Sequence, residues 1–251
     1  MIYYDEYGDR HNPTILLLHG AAATDTFCKQ YCFQDTYQLV VPHLYGSGKE
    51  VDKVYDPEKQ IEALVELIRH ISNEKITIMG HSLGAELAVA LVSRYPEFFN
   101  KAVFLSAWIC PSEKSIRMYT KIAKFSCMTL KFPALVRWQA NYWHYSKEQA
   151  DFMVEYSKRI TPEQYAAWFR YRVKLDELPE YKDVNIPMLA VCGSKELAEM
   201  KTSISELGRR NPNCQTIILD SVMHDFPMRF PQKLNPILLD FLAENRTVYM
   251  K

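Results

Sequence analysis

The stretch Ile76–Ala90, ITIMGHSLGAELAVA, constrains this chain more than any other. A short apolar run leads into Gly80-His81-Ser82-Leu83-Gly84, and a helix-forming sequence follows. Gly-x-Ser-x-Gly between a strand and a helix is the pattern of a nucleophile elbow. Such a turn forces its serine into strained backbone geometry and lifts the hydroxyl clear of the sheet. Small residues on either side let strand and helix approach closely. The plain alternative is a glycine-bracketed turn with an idle serine, and the flanking strand and helix argue against it.

Six short apolar runs read as strands: Thr14–Leu18, Gln38–Val41, Ile76–Met79, Ala102–Leu105, Met188–Val191 and Thr216–Leu219. They are continuously apolar rather than alternating, which suits a parallel sheet covered on both faces. Helical patterns lie between them. Pro57–Ile71 carries Ile61, Leu64, Val65 and Ile68 at helical spacing, with Asp56 as its cap. Ser82–Tyr95 and Leu234–Asn245 read as further helices. Alternating strands and helices imply an α/β doubly wound, mostly parallel sheet. The alternation breaks between Trp108 and Tyr181, where fifteen of the 32 aromatic residues and all four tryptophans fall. This predicts a core of residues 1–107 and 182–251 with an inserted helical cap at 108–181. Gly20, Gly46, Gly48, Gly80, Gly84 and Gly193 each follow a predicted strand. Ligands in open α/β sheets bind outside those carboxyl ends.

The 251 residues suffice for one large core or a core with an insertion. A formal net charge of zero gives no global reason to expect nucleic acid or a membrane as partner. The N-terminal MIYYDEYGDR has neither a basic region nor an apolar core, so it does not read as a signal peptide. No apolar run approaches the ~20 residues that span a bilayer. Cys28, Cys32, Cys110, Cys127, Cys192 and Cys214 form no C-x-x-C pair, and a reduced, cytoplasmic protein without metal or other cofactor is the simplest account.

A serine hydroxyl is a poor nucleophile until a base takes its proton, and the base needs a partner that fixes its tautomer. On such a sheet the chain order is Ser, then Asp or Glu, then His. Ser82 comes first. Gly193-Ser194-Lys195-Glu196 follows the next-to-last strand, and Ser221-Val222-Met223-His224-Asp225 follows the last. Ser82 and His224 fit the nucleophile and the base, and Glu196, Glu199, Asp220 and Asp225 are the candidate acids.

Over essentially its full length the chain resembles the α/β-hydrolase fold superfamily. The residues that carry the resemblance are His19-Gly20, Gly46-Ser47-Gly48, the G-H-S-L-G elbow, the G-S-K-E loop and the late M-H-D. Glu196 stands where that family often has aspartate, so the resemblance implies a catalytic set of Ser82, Glu196 and His224, with Glu199, Asp220 and Asp225 as rivals to Glu196. His43 replaces an aspartate usual three residues before the Gly-x-Gly. The resemblance implies an oxyanion hole of two backbone amides, those of Ala21 and Leu83, and a structural role for His19. Glu86, one helical turn past Ser82, reads as either a buried acid behind the site or a solvated helix residue.

Trp108, Trp138, Trp143 and His144 are the candidate substrate contacts within the cap. Most other cap aromatics are expected to pack its own core. The favoured reading is a serine hydrolase acting on an ester, lactone or thioester of a small, largely apolar acyl compound, as a monomer or homodimer. The same residues also suit acyl transfer, C–C bond hydrolysis or a lyase step. A non-hydrolytic small-ligand binder on this fold is the third reading, and it has no chemical need for the Ser-Glu-His set.

Overall fold

The computed structural model describes residues 1–243. Its centre is a seven-stranded sheet of β1 (Tyr4–Tyr7), β2 (Thr14–Leu18), β3 (Gln38–Pro42), β4 (Ile76–His81), β5 (Phe99–Leu105), β6 (Met188–Gly193) and β7 (Cys214–Leu219). The spatial order is β1-β3-β2-β4-β5-β6-β7. β1 runs antiparallel to β3, and every other pairing is parallel.

The apolar runs form the middle of this sheet because both faces are covered. Leu16 and Leu18 point into one apolar cluster, shared with Leu64 and Leu87. Ile15 and Leu17 point into the other, shared with Phe226, Leu234 and Leu238. Adjacent strand residues face opposite ways, so two cores require an unbroken apolar run. The edges differ. β1, with the sequence YDEY, is half-buried along its length, and its polar residues disguise it as a loop. β7 was expected to be buried throughout, yet it alternates, with Ile218 55% exposed, because it is the last strand of the sheet among the described residues.

Helix α1 (Pro57–Ile71) starts where its cap predicts: the Asp56 carboxylate accepts from the Lys59 N–H at 3.0 Å, and Pro57 opens the first turn. Helix α2 (Leu83–Arg94) begins directly after Ser82 and is almost wholly buried. α7 (Ala198–Arg210) joins β6 to β7, and α8 (Phe226–Arg229) and α9 (Pro231–Ala243) close the described chain. The predicted helix end at Asn245 lies outside the described residues.

Between β5 and β6 the chain forms α3 (Glu113–Ser126), α4 (Pro133–Tyr142), α5 (Lys147–Ser157) and α6 (Pro162–Arg170), with no strand among them. Capping boxes start α5 at Ser146 and α6 at Thr161. This segment is fastened by polar contacts to the loops that follow β2 and β3. The Tyr156 hydroxyl donates to the Ala22 carbonyl at 2.8 Å, and the Trp168 indole N–H to the Tyr45 carbonyl at 3.0 Å. Gln164 Nε2 donates to the Val51 carbonyl at 2.6 Å. Arg172 forms an ion pair with Glu86, both almost fully buried, so Glu86 is an internal acid and not a solvated helix residue. Burial depresses the Arg172 pKa to about 10, which leaves it charged at neutral pH.

A buried charge left without its partner costs far more than the pair contributes. Glu86→Ala is therefore expected to lower unfolding free energy by about 3–5 kcal/mol in urea titrations. The double variant Glu86→Leu/Arg172→Met is expected to recover most of that loss. A single variant within ~0.5 kcal/mol of the parent would contradict a charged, dry pair.

Candidate active site

Ser82 joins β4 to α2 in left-handed backbone geometry, with φ 53° and ψ −117°. A non-glycine residue there carries strain of about 1–3 kcal/mol and persists only where its surroundings fix it. Here the Ser82 N–H donates to the Leu105 carbonyl at 2.8 Å. A Cβ on Gly84 would collide with the Leu18 carbonyl, and one on Gly80 with the Gly84 carbonyl. Glycine at both places allows the strand and helix to meet this closely.

The loops after β6 and β7 bring Glu196 and His224 together. Glu196 Oε2 lies 2.7 Å from His224 Nδ1. Its other oxygen, Oε1, accepts from the Ser106 hydroxyl at 2.7 Å and from the Gly193 N–H at 2.6 Å. Burial alone would raise the Glu196 pKa, but His224, Gly193 and Ser106 more than offset it and hold the carboxyl below its ordinary value. Glu196 is therefore an anion fixed by three donors, with its charge directed at Nδ1 of the imidazole. The rival acids are engaged by other groups. Glu199 accepts from the Trp108 indole and from Ser112 and Ser115. Asp220 meets Ser194 and Ser221. Asp225 pairs loosely with Arg229 at 4.0 Å.

Three other histidines shape the loops around this pair. His81 is buried, and its Nε2–H donates to the His224 carbonyl at 2.9 Å. Its ring lies against the His224 ring, with centroids 4.7 Å apart. Burial, aided by the neighbouring His224, depresses the His81 pKa to about 3, so His81 stays neutral. His19, also depressed to about 3 by burial, donates from Nδ1 to the Gly20 carbonyl and accepts the Leu44 N–H at Nε2. His43 occupies the unusual position before Gly46-Ser47-Gly48. It accepts the Lys49 N–H at Nδ1 and faces Asp5 with Nε2 at 2.9 Å, which ties that loop to β1.

Ser82, His224 and Glu196 line one cavity of about 590 Å³, together with Ala21 and Leu83. Leu83 opens α2, where helical N–H groups have no partner within the helix. The walls are mainly aromatic and sulfur-bearing: Trp108, Trp143, Trp168, Phe169, Met200 and Met228 among them.

Two of the four expected substrate contacts, Trp108 and Trp143, line this cavity. Trp138 and His144 do not. Trp138 is 64% exposed because α4 turns Val136 and Ala140 inward and puts Trp138 on the opposite side. His144 is exposed in a left-handed turn, φ 58°, where its backbone N–H donates to the Asn141 carbonyl and its own carbonyl accepts from Lys29 Nζ. Sequence reasoning missed Ser106 and Arg172. Ser106 has a left-handed φ of 53° just after β5, which no motif signals. Arg172 lines the cavity with its guanidinium 4.6 Å from the Trp108 ring centroid, and no motif marks it in the sequence.

The sheet order, the strained serine between strand and helix, and the acid and histidine on the last two strand ends define an α/β-hydrolase architecture. A family model described as the alpha/beta hydrolase fold matches residues 13–125. The chain therefore has the α/β-hydrolase fold. It is 21% identical to the uncharacterized hydrolase YugF of Bacillus subtilis, over 96% of this chain and 94% of that protein. Among solved structures it is similar to a carboxylesterase of Nitrososphaera gargenis, with a TM-score of 0.78 and 18% identity, covering 96% of this chain and 93% of the other. The enol-lactonase of Burkholderia xenovorans LB400 gives a TM-score of 0.78 at 19% identity, covering 97% and 96%.

The depressed carboxyl of Glu196 carries a stability prediction. A group whose folded pKa lies below its unfolded value stabilises the fold above the unfolded pKa, about 4.3 for glutamate. That contribution is lost as the pH falls through the folded value. Glu196→Gln should therefore show a shallower loss of stability between about pH 5 and pH 3 than the parent, read by urea unfolding at each pH. Identical acid slopes would contradict an ionised, triply bonded Glu196.

Proposed function

We propose that this protein is a serine hydrolase that cleaves an ester-type bond, in a carboxylic ester, lactone or thioester, of a largely apolar acyl compound. The observation that carries the reading is the 2.7 Å contact of Glu196 with His224 Nδ1 beside a strained serine on the same cavity. A carboxylate at Nδ1 keeps the proton there and leaves Nε2 as the basic lone pair.

Ser82 Oγ attacks the acyl carbonyl carbon as His224 Nε2 takes its proton. The carbonyl oxygen gains negative charge and is met by the backbone amides of Ala21 and Leu83. Donors fixed at such a position are worth about 3–4 kcal/mol each in the transition state. The intermediate collapses as imidazolium gives its proton to the leaving alcohol or thiol, leaving Ser82 acylated. Water, deprotonated by the same nitrogen, then attacks the acyl-enzyme. The acid departs and Ser82 regains its proton. Neutral His81 suits this cycle, because a second cation against the transient imidazolium would oppose its formation.

Residues 108–181 act in this reading as a cap that supplies the acyl wall. Trp108, Trp143, Trp168 and Phe169 offer apolar surface, while the buried Arg172–Glu86 pair adds no net charge. An acyl chain gains about 0.8 kcal/mol per methylene placed against such walls. The carboxylesterase and enol-lactonase among the structural relatives act on bonds of this type, which agrees with the reading.

Ser82→Ala should lower kcat on p-nitrophenyl esters by about 10⁴-fold or more, with an unchanged melting temperature. In the parent, kcat/KM should rise with acyl length until the cavity is filled. A folded Ser82→Ala variant with near-parental turnover would overturn the assignment.

A further inference from the structure

The outer face of α3 and α4 is built unlike the rest of the surface. Met118, Ile122 and Phe125 recur at helical spacing on the outside of α3, and Phe125 is 84% exposed. The inner side of α3 carries Ile116 and Ala123. The series continues through Met128 and Phe132 to Leu135, Trp138 and Tyr142 on the outside of α4. Eight large apolar residues in one stretch of chain are thus at least 37% exposed. Large apolar side chains left exposed on two successive helices and the turn between them mark a place where something docks.

The charges beside it say what. Residues 113–142 contain Lys114, Arg117, Lys121, Lys124, Lys131 and Arg137 against Glu113 alone. Glu113 is held by Lys174, and the nearby acids Glu163 and Asp151 are taken by Lys124 and Arg137. Lys114, Arg117 and Lys121 remain exposed on α3 beside the apolar stripe. Zero net charge over the whole chain conceals this local excess. A second copy of the chain is disfavoured as occupant, since a two-fold contact would bring the same cations face to face. An amphipathic helix with basic residues flanking Phe, Met, Leu and Trp suits an anionic lipid interface.

The strip also leads to the cavity. Tyr142 lines it and stacks on Trp138, with ring centroids 5.8 Å apart. Leu197 and Met223, 45% and 54% exposed, add apolar surface to the same cavity. We infer that the outer face of α3 and α4 docks on anionic lipid surfaces and presents the cavity to acyl compounds dissolved there. The docking stands on the surface alone, while the delivery of substrate rests on the hydrolase reading above.

The test is co-sedimentation of the full chain with vesicles of phosphatidylcholine, with or without phosphatidylglycerol. Binding to the anionic vesicles is expected, and it should weaken about tenfold or more in Lys114→Glu/Lys121→Glu and in high salt. Phe125→Ser/Met128→Ser should lose binding while hydrolysing a short, water-soluble ester at the parental rate. Absence of vesicle binding, or binding indifferent to both pairs of substitutions, would overturn the docking. So would a dimer in lipid-free light scattering that Phe125→Ser/Met128→Ser dissolves, since the face would then belong to a second copy. Vesicle binding without ester hydrolysis would instead remove the hydrolase reading and leave the docking in place.

Discussion

A serine at φ 53° and ψ −117° is the constraint around which this fold is arranged. It turns the chain from β4 into α2 within one residue, so α2 must lie tightly across the sheet. Gly84 lies against the Leu18 backbone of β2, and Gly80 against the first turn of the same helix. Nearly every residue of α2 is buried as a result. The strain is local, of order 1–3 kcal/mol, and the two apolar cores on either face of the sheet hold it in place.

The histidine loop is fixed from several sides. Glu196 directs one carboxylate oxygen at His224 Nδ1, while Ser106 and Gly193 hold the other. His81, the residue before the serine, donates to the His224 backbone and packs against its ring. The serine turn and the histidine loop are therefore joined by a neutral hydrogen bond as well as by their shared cavity. In the proposed reaction, preorganisation of this kind would remove reorganisation from the chemical step. The buried Arg172–Glu86 pair extends the linkage, joining the inserted helices to the helix behind Ser82.

What was legible in the sequence follows from where physics is local. The strands β2 to β6 announced themselves because a sheet covered twice needs unbroken apolar runs. Helix α1 was readable to the residue from Asp56, Pro57 and its spacing of Ile and Leu. Edge strand β1 was not, since half-burial leaves YDEY without an apolar signature. Ser82, Glu196 and His224 were visible as a chain order at strand ends. The sequence alone left four acids open, because only long-range loop geometry separates Glu196 from Glu199, Asp220 and Asp225. Trp138 and His144 misled for a related reason. An aromatic residue in a helical stretch gives no sign of which helix face meets the cavity, and Trp138 turned outward. Ser106 and Arg172 acquire meaning only through partners about 90 residues distant.

The central claim is that Ser82 is an activated nucleophile. Labelling of the pure protein with a fluorophosphonate, read by intact mass and peptide mapping, tests it most directly. The account predicts a single adduct, carried by Ser82 and absent from Ser82→Ala. A folded parent protein that remains unlabelled, or that carries its adduct on another residue, would contradict it.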